Sequence, residues 1–365
     1  MKKIVRLLAL ITICGFAASL LHATSNQYIY TILAKDGDVI DGHQLAFVDA
    51  PAINSAGQVV FTSHFFAEFT SPSLLTLDRV LAGPGRPPGA RFTLAPQINN
   101  RGDVIFFGPL VGDVGSSLFT TRQLIARPGQ VIDGKTLSIV QIAALNDSGK
   151  IVFLGLFSSA EAIVAESHIV IQAGDVIAGK TVSTFIQSIA LNDAGTIAFV
   201  DAINSIVFTQ HAVVAKAGDV IQGKTLDRMG SVSIANGGGV NGKHGDPGEV
   251  FFTASYDGGV GVGIFTSSRL LVHSGQVIDG QTLESFSPKV NKRGDLIFNA
   301  GFASGLLGLC TPTTIVGIPG DVIGGKTVTA VKGGDINERG QIVFSVVFSD
   351  FSTAIVLATP VGSAH

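Results

Sequence analysis

A motif that returns about every 46 residues limits the folds open to this chain more than any other feature. The pattern N-x-x-G-x-x-x-F occurs as "NSAGQVVF" (54–61), "NNRGDVIF" (99–106), "NDSGKIVF" (146–153), "NDAGTIAF" (192–199), "NKRGDLIF" (291–298) and "NERGQIVF" (337–344). Its leading asparagines stand 45, 47, 46, 99 and 46 residues apart. The gap of 99 spans two periods, and inside it "GDPGEVFF" (245–252) keeps Gly248 and Phe252 but loses the leading Asn to an insertion. That makes seven copies. A second motif has the same period: "GQVIDGKT" (129–136), "GDVIAGKT" (174–181), "GDVIQGKT" (218–225) and "GDVIGGKT" (320–327). "GDVIDGHQ" (37–44), "GQVIDGQT" (275–282) and a degenerate "GPGRPPGA" (83–90) complete the set.

One unit can be read in detail. "TVSTFIQSIAL" (181–191) is rich in β-branched residues and has no helical stripe, which predicts a strand. "NDAG" (192–195) predicts a tight turn, because Asn and Asp bond their own backbone and Gly195 tolerates a left-handed conformation. "TIAFVDAI", "SIVFTQ" and "AVVAKAG" follow as second, third and fourth strands, and "DVIAGK" crosses to the next unit. Four short antiparallel strands in this length make a propeller blade. In "KIVFLGLF" (150–157), Ile151 and Phe153 point to one side and Val152 and Leu154 to the other, so both faces are apolar. A blade between two neighbours buries both faces. The composition agrees: 46% apolar, 45 Gly, only 14% charged, and 24 Phe against 3 Tyr and no Trp. The expected fold is therefore all-β, a seven-bladed β-propeller of four-stranded antiparallel blades. The rival is a β-solenoid, whose coils usually repeat at a shorter period. "QYIYTILAKDGD" (27–38) supplies a fourth strand at the start and "STAIVLATP" (352–360) a third strand at the end. Their pairing would close the ring and leave no open sheet edge.

The second motif matches the phosphate-binding pattern G-x-x-x-x-G-K-[ST], with Lys180 and Thr181 where phosphate and Mg²⁺ would be met. Such a loop needs a helix starting at its end, whereas strand-like "VSTFIQSI" follows here, and Val and Ile fill the loop positions. A turn between blades is the reading the residues support, and no nucleotide is expected. "DGDVIDG" (36–42) resembles a Ca²⁺ loop in its Asp36, Asp38 and Asp41. Sister copies carry Gln130, Ala178, Gln222 and Gly324 in these positions, so a turn-stabilising role is preferred and no cofactor is expected, with Ca²⁺ at one or two blades left open. The one large departure from the repeat is "ANGGGVNGKHGDPGEV" (235–250), between the first two strands of its blade. Loops on a rigid scaffold carry binding residues, which makes Asn241, Lys243, His244 and Asp246 the candidate ligand-binding residues, set against a solvated loop without function. The other histidines are scattered, and no H-E-x-x-H or G-x-S-x-G occurs.

At the N-terminus, Lys2, Lys3 and Arg6 precede an apolar run, Leu7 to Leu21, ending near Ala23 and Thr24. This is the pattern of a secretory signal peptide, residues 1–23. At about 15 residues the run is short for a membrane span, and none is expected in the mature chain. A lipoprotein reading would use Cys14, but Ile13 stands where such signals want a small residue. Removal of the signal takes the net charge from -3 to -6, which does not favour nucleic acid. It also leaves Cys310 alone, without an intrachain disulfide. The expected layout is a single propeller over 24–360 with a short tail, 361–365.

The signal, the "NDSGKIVF"-type units and the "GDVIDGKTL"-type turns together resemble bacterial exported proteins described by their N-x-x-G-x-x-x-F repeats. The resemblance covers roughly residues 27 to 358. It implies a secreted or periplasmic repeat protein of β-propeller type, and no reaction. Some members carry a C-terminal surface anchor; "VLATPVGSAH" lacks the hydrophobic helix and basic residues of one. The expected function is a non-catalytic binding module for protein, peptide or glycan; the alternative is a propeller hydrolase or lyase on an extracellular polymer, with acid-base groups converging on the channel.

Overall fold

A computed structural model describes residues 27–66, 68–84, 94–110, 115–158, 160–236 and 248–362. Among the described residues there are strands and turns but no helix. The strands form seven antiparallel blades around an axis, a β-propeller. Blade 4 shows the plan: Ile186–Leu191 innermost, then Ile197–Asp201, Ile206–Thr209 and Val213–Lys216 outermost. The inner strands of the other blades are His43–Ile53, Leu94–Ile98, Lys135–Leu145, Lys224–Ile234, Gln281–Val290 and Lys326–Ile336. The degenerate second repeat still builds four strands, from Leu94–Ile98 to Leu124–Ala126.

Side-chain alternation explains why the blades stack. Val152 and Leu154 pack with Ile197 and Phe199 of blade 4, whereas Phe153, on the opposite face of the same strand, packs with Ile105 and Leu118 of blade 2. Every blade thus gains burial on both faces, at about 1.5–3 kcal/mol for each large apolar side chain. The last residue of the N-x-x-G-x-x-x-F motif, as in Phe61, Phe199 and Phe344, is buried in every blade. In three blades it also stacks on a phenylalanine directly across the next strand: Phe106 on Phe119, Phe199 on Phe208 and Phe252 on Phe265, with ring centroids 5.5, 5.1 and 5.9 Å apart.

Closure follows from the two ends. Tyr28–Lys35 pairs antiparallel with Thr353–Pro360, from Tyr28 opposite Pro360 to Lys35 opposite Ala354, and becomes the outermost strand of blade 7. The Tyr30 hydroxyl donates to the Val316 carbonyl of blade 6 at 2.9 Å. Asp36 accepts from Thr353 N and Oγ1 at 2.9 and 2.6 Å.

The segment read as a crossover turns back on itself. In "GDVIAGKT" Val176 pairs with Thr181 and Ile177 with Lys180, around Ala178 and Gly179 at φ 48° and 75°. Positive φ at both central residues is the two-residue type I′ hairpin, whose twist matches that of its strands. The amides stay inside it: Gly174 N donates to Val182 O at 2.9 Å and Val182 N to Asp175 O at 2.8 Å. Asp175 accepts from Gln172 N at 2.9 Å. Asp38, Asp219 and Asp321 accept the equivalent amide, and Gln130 and Gln276 do so with a side-chain amide oxygen. Asp and Gln exchange at this position because either supplies one acceptor. Lys180 is exposed, and its counterparts Lys224 and Lys326 pair with Asp257 and Asp350 at 3.0 and 2.7 Å.

Candidate functional site

The N-x-x-G turns sit together at one end of the axis, and their asparagines close the ring. Asn54 Nδ2 donates to Asn99 O at 3.0 Å, Asn99 to Asn146 O at 2.9 Å, and Asn146 to Asn192 O at 3.1 Å. Asn192 continues to Ala235 O at 3.3 Å, Asn291 to Asn337 O at 2.9 Å, and Asn337 returns to Asn54 O at 3.0 Å. Blade 5 has Ala235 in the Asn position, and there the link to blade 6 runs through backbone, Asn236 N to Lys292 O at 2.8 Å. Each asparagine Oδ1 accepts the amide four residues on, as Lys150 N does to Asn146 at 2.9 Å. Buried polar groups this well paired are inexpensive to bury. Gly248 survives in blade 5 because a Cβ there would strike Ala235 O and Asn192 Nδ2.

The residue after each asparagine forms a second, more exposed circle around the mouth. Ser55 N donates to Asn100 Oδ1, Asn100 N to Asp147, Asp147 N to Asp193 and Asp193 N to Asn236 Oδ1, at 2.7 to 2.8 Å. Glu338 accepts from the Ser55 hydroxyl. Lys292, from blade 6, reaches over to pair with Asp147 of blade 3 and with Asp193 of blade 4, the latter at 3.2 Å. Burial works to raise the Asp147 carboxyl; the Lys292 ammonium and the Asn100 amides outweigh it and hold the group below the usual carboxylate range.

Behind the mouth lies a channel cavity of about 330 Å³ bounded by inner strands of all the blades. Its wall is aliphatic, as at Ile98, Ile142 and Leu145, with Gln97, Lys289 and Asp335 among its polar members. Asp335 pairs with Lys289 at 2.9 Å and accepts from Ile53 N at 3.1 Å. Farther along the inner strands, away from the mouth, Lys332 binds Asp49 at 2.7 Å and Ser345 donates to the same carboxylate at 2.7 Å. There too burial acts to raise the carboxyl and these hydrogen bonds carry it down. Two further buried carboxylates are likewise engaged: Glu161 by Ile186 N at 2.6 Å, and Asp201 by Ser183 N and Oγ at 2.8 and 2.6 Å. Such carboxylates anchor backbone and hold strands in place.

The candidate residues Asn241, Lys243, His244 and Asp246 lie outside the described residues. Of the two stems of their insertion, Asn236 lies at the channel mouth beside Lys292, and Glu249 pairs with Arg269, its carbonyl taking the Ala235 amide. Residues 1–26, which hold the signal sequence, also lie outside. In "DGDVIDG", Asp36 and Asp38 turn to different partners, Thr353 and Lys35. Among the described residues no three His, Cys, Asp or Glu side chains are gathered as metal ligands. Cys310 is buried, and that burial, followed by the nearby Asp279 charge, pushes its thiol up to about 12, an unreactive state. What reading along the repeat missed is the circle around the mouth; the column after Asn (Ser, Asn, Asp, Asp, Asn, Lys, Glu) would have revealed it once the copies were aligned on a ring.

A family model described as a family of unknown function, DUF7453, matches residues 16–213. No curated protein matches the sequence. Similar solved structures include virginiamycin B lyase from Staphylococcus aureus (9% identity, 90% of this chain and 99% of that one, TM-score 0.41). The WD40 β-propeller domain of Doa1 has 11% identity over 90% of this chain and 96% of that one, at TM-score 0.39. A gluconolactonase from Xanthomonas campestris has 11% identity over 91% and 90%, at TM-score 0.38.

Proposed function

Because the chain belongs to the DUF7453 family, whose description gives no activity, we propose from the site itself that it is an exported, non-catalytic binding module for protein, peptide or glycan. One observation carries this reading. The carboxylates at the channel mouth, Asp147, Asp193 and Glu338, are bonded to Lys292, to neighbouring backbone amides or to Ser55, so that none is free to act as acid or base. A rigid ring whose turns gather at one end, with a stem of the long insertion among them, offers a surface for recognition. Export, with a signal at residues 1–23 cleaved near Ala23 and release to the periplasm or medium, belongs to the same proposal and rests on the N-terminal charge and apolar pattern. So does the placing of Asn241, Lys243, His244 and Asp246 among the ligand contacts, on an insertion with one stem, Asn236, beside the mouth. Bound Ca²⁺ is not required by it, and neither is nucleotide or nucleic acid.

The test is a glycan and peptide array with purified protein, run beside a divalent-metal scan, with mass spectrometry of every bound ligand. Saturable binding with ligand recovered intact is the expected result. Cleavage or elimination of the ligand, abolished by Asp147→Asn or Asp193→Asn, would replace the binding module by an enzyme.

A further inference from the structure

Three turns carry arginine at the third position of N-x-x-G: Arg101, Arg293 and Arg339. Arg101 Nη1 donates to Ser148 O of the following blade at 2.6 Å, and Arg293 Nη1 donates to Glu338 O of the following blade at 2.8 Å. Both are brackets between blades. Arg339 makes no such bracket to the turn of blade 1, which has Ala56 at the matching position. Among the described residues its guanidinium makes no hydrogen bond or ion pair, and the residue is exposed. It borders a groove of about 680 Å³ between blades 5, 6 and 7, together with Arg269 and Arg293. Two carboxylates share that groove. Glu249 holds Arg269 at 2.7 Å, and Asp295 lies 3.7 Å from Arg293. One guanidinium is left without a counter-charge, in a chain whose net charge is -3. The rest of the lining is largely apolar, with Phe251, Leu271, Leu296, Pro312 and Pro360.

We propose that this groove binds a peptide segment in which a carboxylate stands next to an apolar side chain, with Arg339 taking the carboxylate. A guanidinium fork matches a carboxylate in two parallel hydrogen bonds. A single uncompensated positive charge fits a monoanion; a phosphate dianion would meet Glu249 and Asp295 in the same groove. A sugar acid would find hydroxyl partners at Tyr28, Thr311 and Thr313, but would turn its other hydroxyl groups toward Leu271, Pro312 and Pro360, which cannot bond them. The carboxylate can come from a chain terminus or from an aspartate, and the chemistry at Arg339 is the same. This deepens the binding-module reading and rests on it.

Fluorescence polarisation with labelled tripeptides tests it: Ala-Ala-Leu with a free C-terminus, the same peptide amidated, and an amidated Ala-Asp-Leu. A phosphoserine peptide and an oligouronate serve as the competing classes. The free acid or the aspartate peptide is expected to bind, with loss of about tenfold in affinity on amidation of the first and on Arg339→Ala, the weight of one charge-assisted contact. Arg339→Lys should recover part of it, and Lys180→Ala on a distant hairpin none of the loss. Arg339→Ala removes no internal bond, so its melting temperature should equal that of the parent. Equal binding of acid and amide, indifference to Arg339→Ala, preference for phosphate or uronate, or no binding at millimolar peptide would each overturn the proposal. An array ligand indifferent to Arg339→Ala would sink the groove and leave the binding module standing.

Discussion

The asparagine that opens each repeat ties its own turn through Oδ1 and the next blade through Nδ2, so one buried side chain serves two elements. Asn146→Ala would leave Lys150 N without its acceptor and take from Asn192 O one of its two donors, the Gly195 amide remaining, at about 1–3 kcal/mol for the group left unsatisfied. The urea midpoint should fall accordingly, more than for a substitution at exposed Lys180. Lys292 makes a different prediction. Asp147 titrates lower in the folded chain than the usual carboxylate value of about 3.9, so its pairing stabilises fully above that value and is lost as pH falls through the lower folded value. Lys292→Met should therefore lower the urea midpoint at pH 7, and the gap to the parent should close as the pH is carried below the usual carboxylate range. A gap that stays constant over that range would mean the pair adds nothing. The asparagine, glycine and phenylalanine columns were legible because each acts within its own repeat or on the next. Lys292 was not, since its partners lie 145 and 99 positions back in the chain, and meet it only once the ring has closed.

At the scale of the element, the resemblance to a phosphate loop dissolves into hairpin geometry. A turn was expected from the stiff Val and Ile and from the missing helix. Its exact form follows from the Xaa-Gly pair, which stands at positive φ in Asp133-Gly134, Ala178-Gly179 and Gln222-Gly223 alike. Ala178 is the costly member, because a left-handed conformation disfavours a residue with a Cβ by about 1–2 kcal/mol, and asparagine tolerates it better. Ala178→Asn should raise stability by ~0.5–1 kcal/mol in urea, and Gly179→Ala should lower it. Calorimetric titration with Mg²⁺-ATP should give no saturable heat, for the parent and for Lys180→Ala alike. Micromolar affinity that Lys180→Ala abolishes would restore the nucleotide reading. The long insertion is a limit of another kind: sequence marks Asn241 to Asp246 as the departure from the repeat, but no sister copy offers residues to read them against.

At the scale of the molecule, the channel, its mouth and the groove beside Arg339 exist only if seven repeats make one closed ring. The seam strand was legible because the first and last repeats are each incomplete in a complementary way: the chain begins with a fourth strand and ends after a third. Without that strand Thr353–Pro360 would be an open edge, prone to pairing with another chain. The most direct measurement is therefore a cysteine pair across the seam. Ile29 stands opposite Thr359, and Ile29 is exposed, so Ile29→Cys with Thr359→Cys removes little core. Antiparallel partners lie about 4.5–5.5 Å apart at Cα, within the range a disulfide spans, and the buried, unreactive Cys310 should not compete. Under mild oxidation the double variant should form an intramolecular disulfide almost completely, run faster on a non-reducing gel and unfold at higher urea than its reduced form. An open solenoid would hold the two ends far apart, and free thiols or cross-linked dimers in place of that bond would contradict the closed ring.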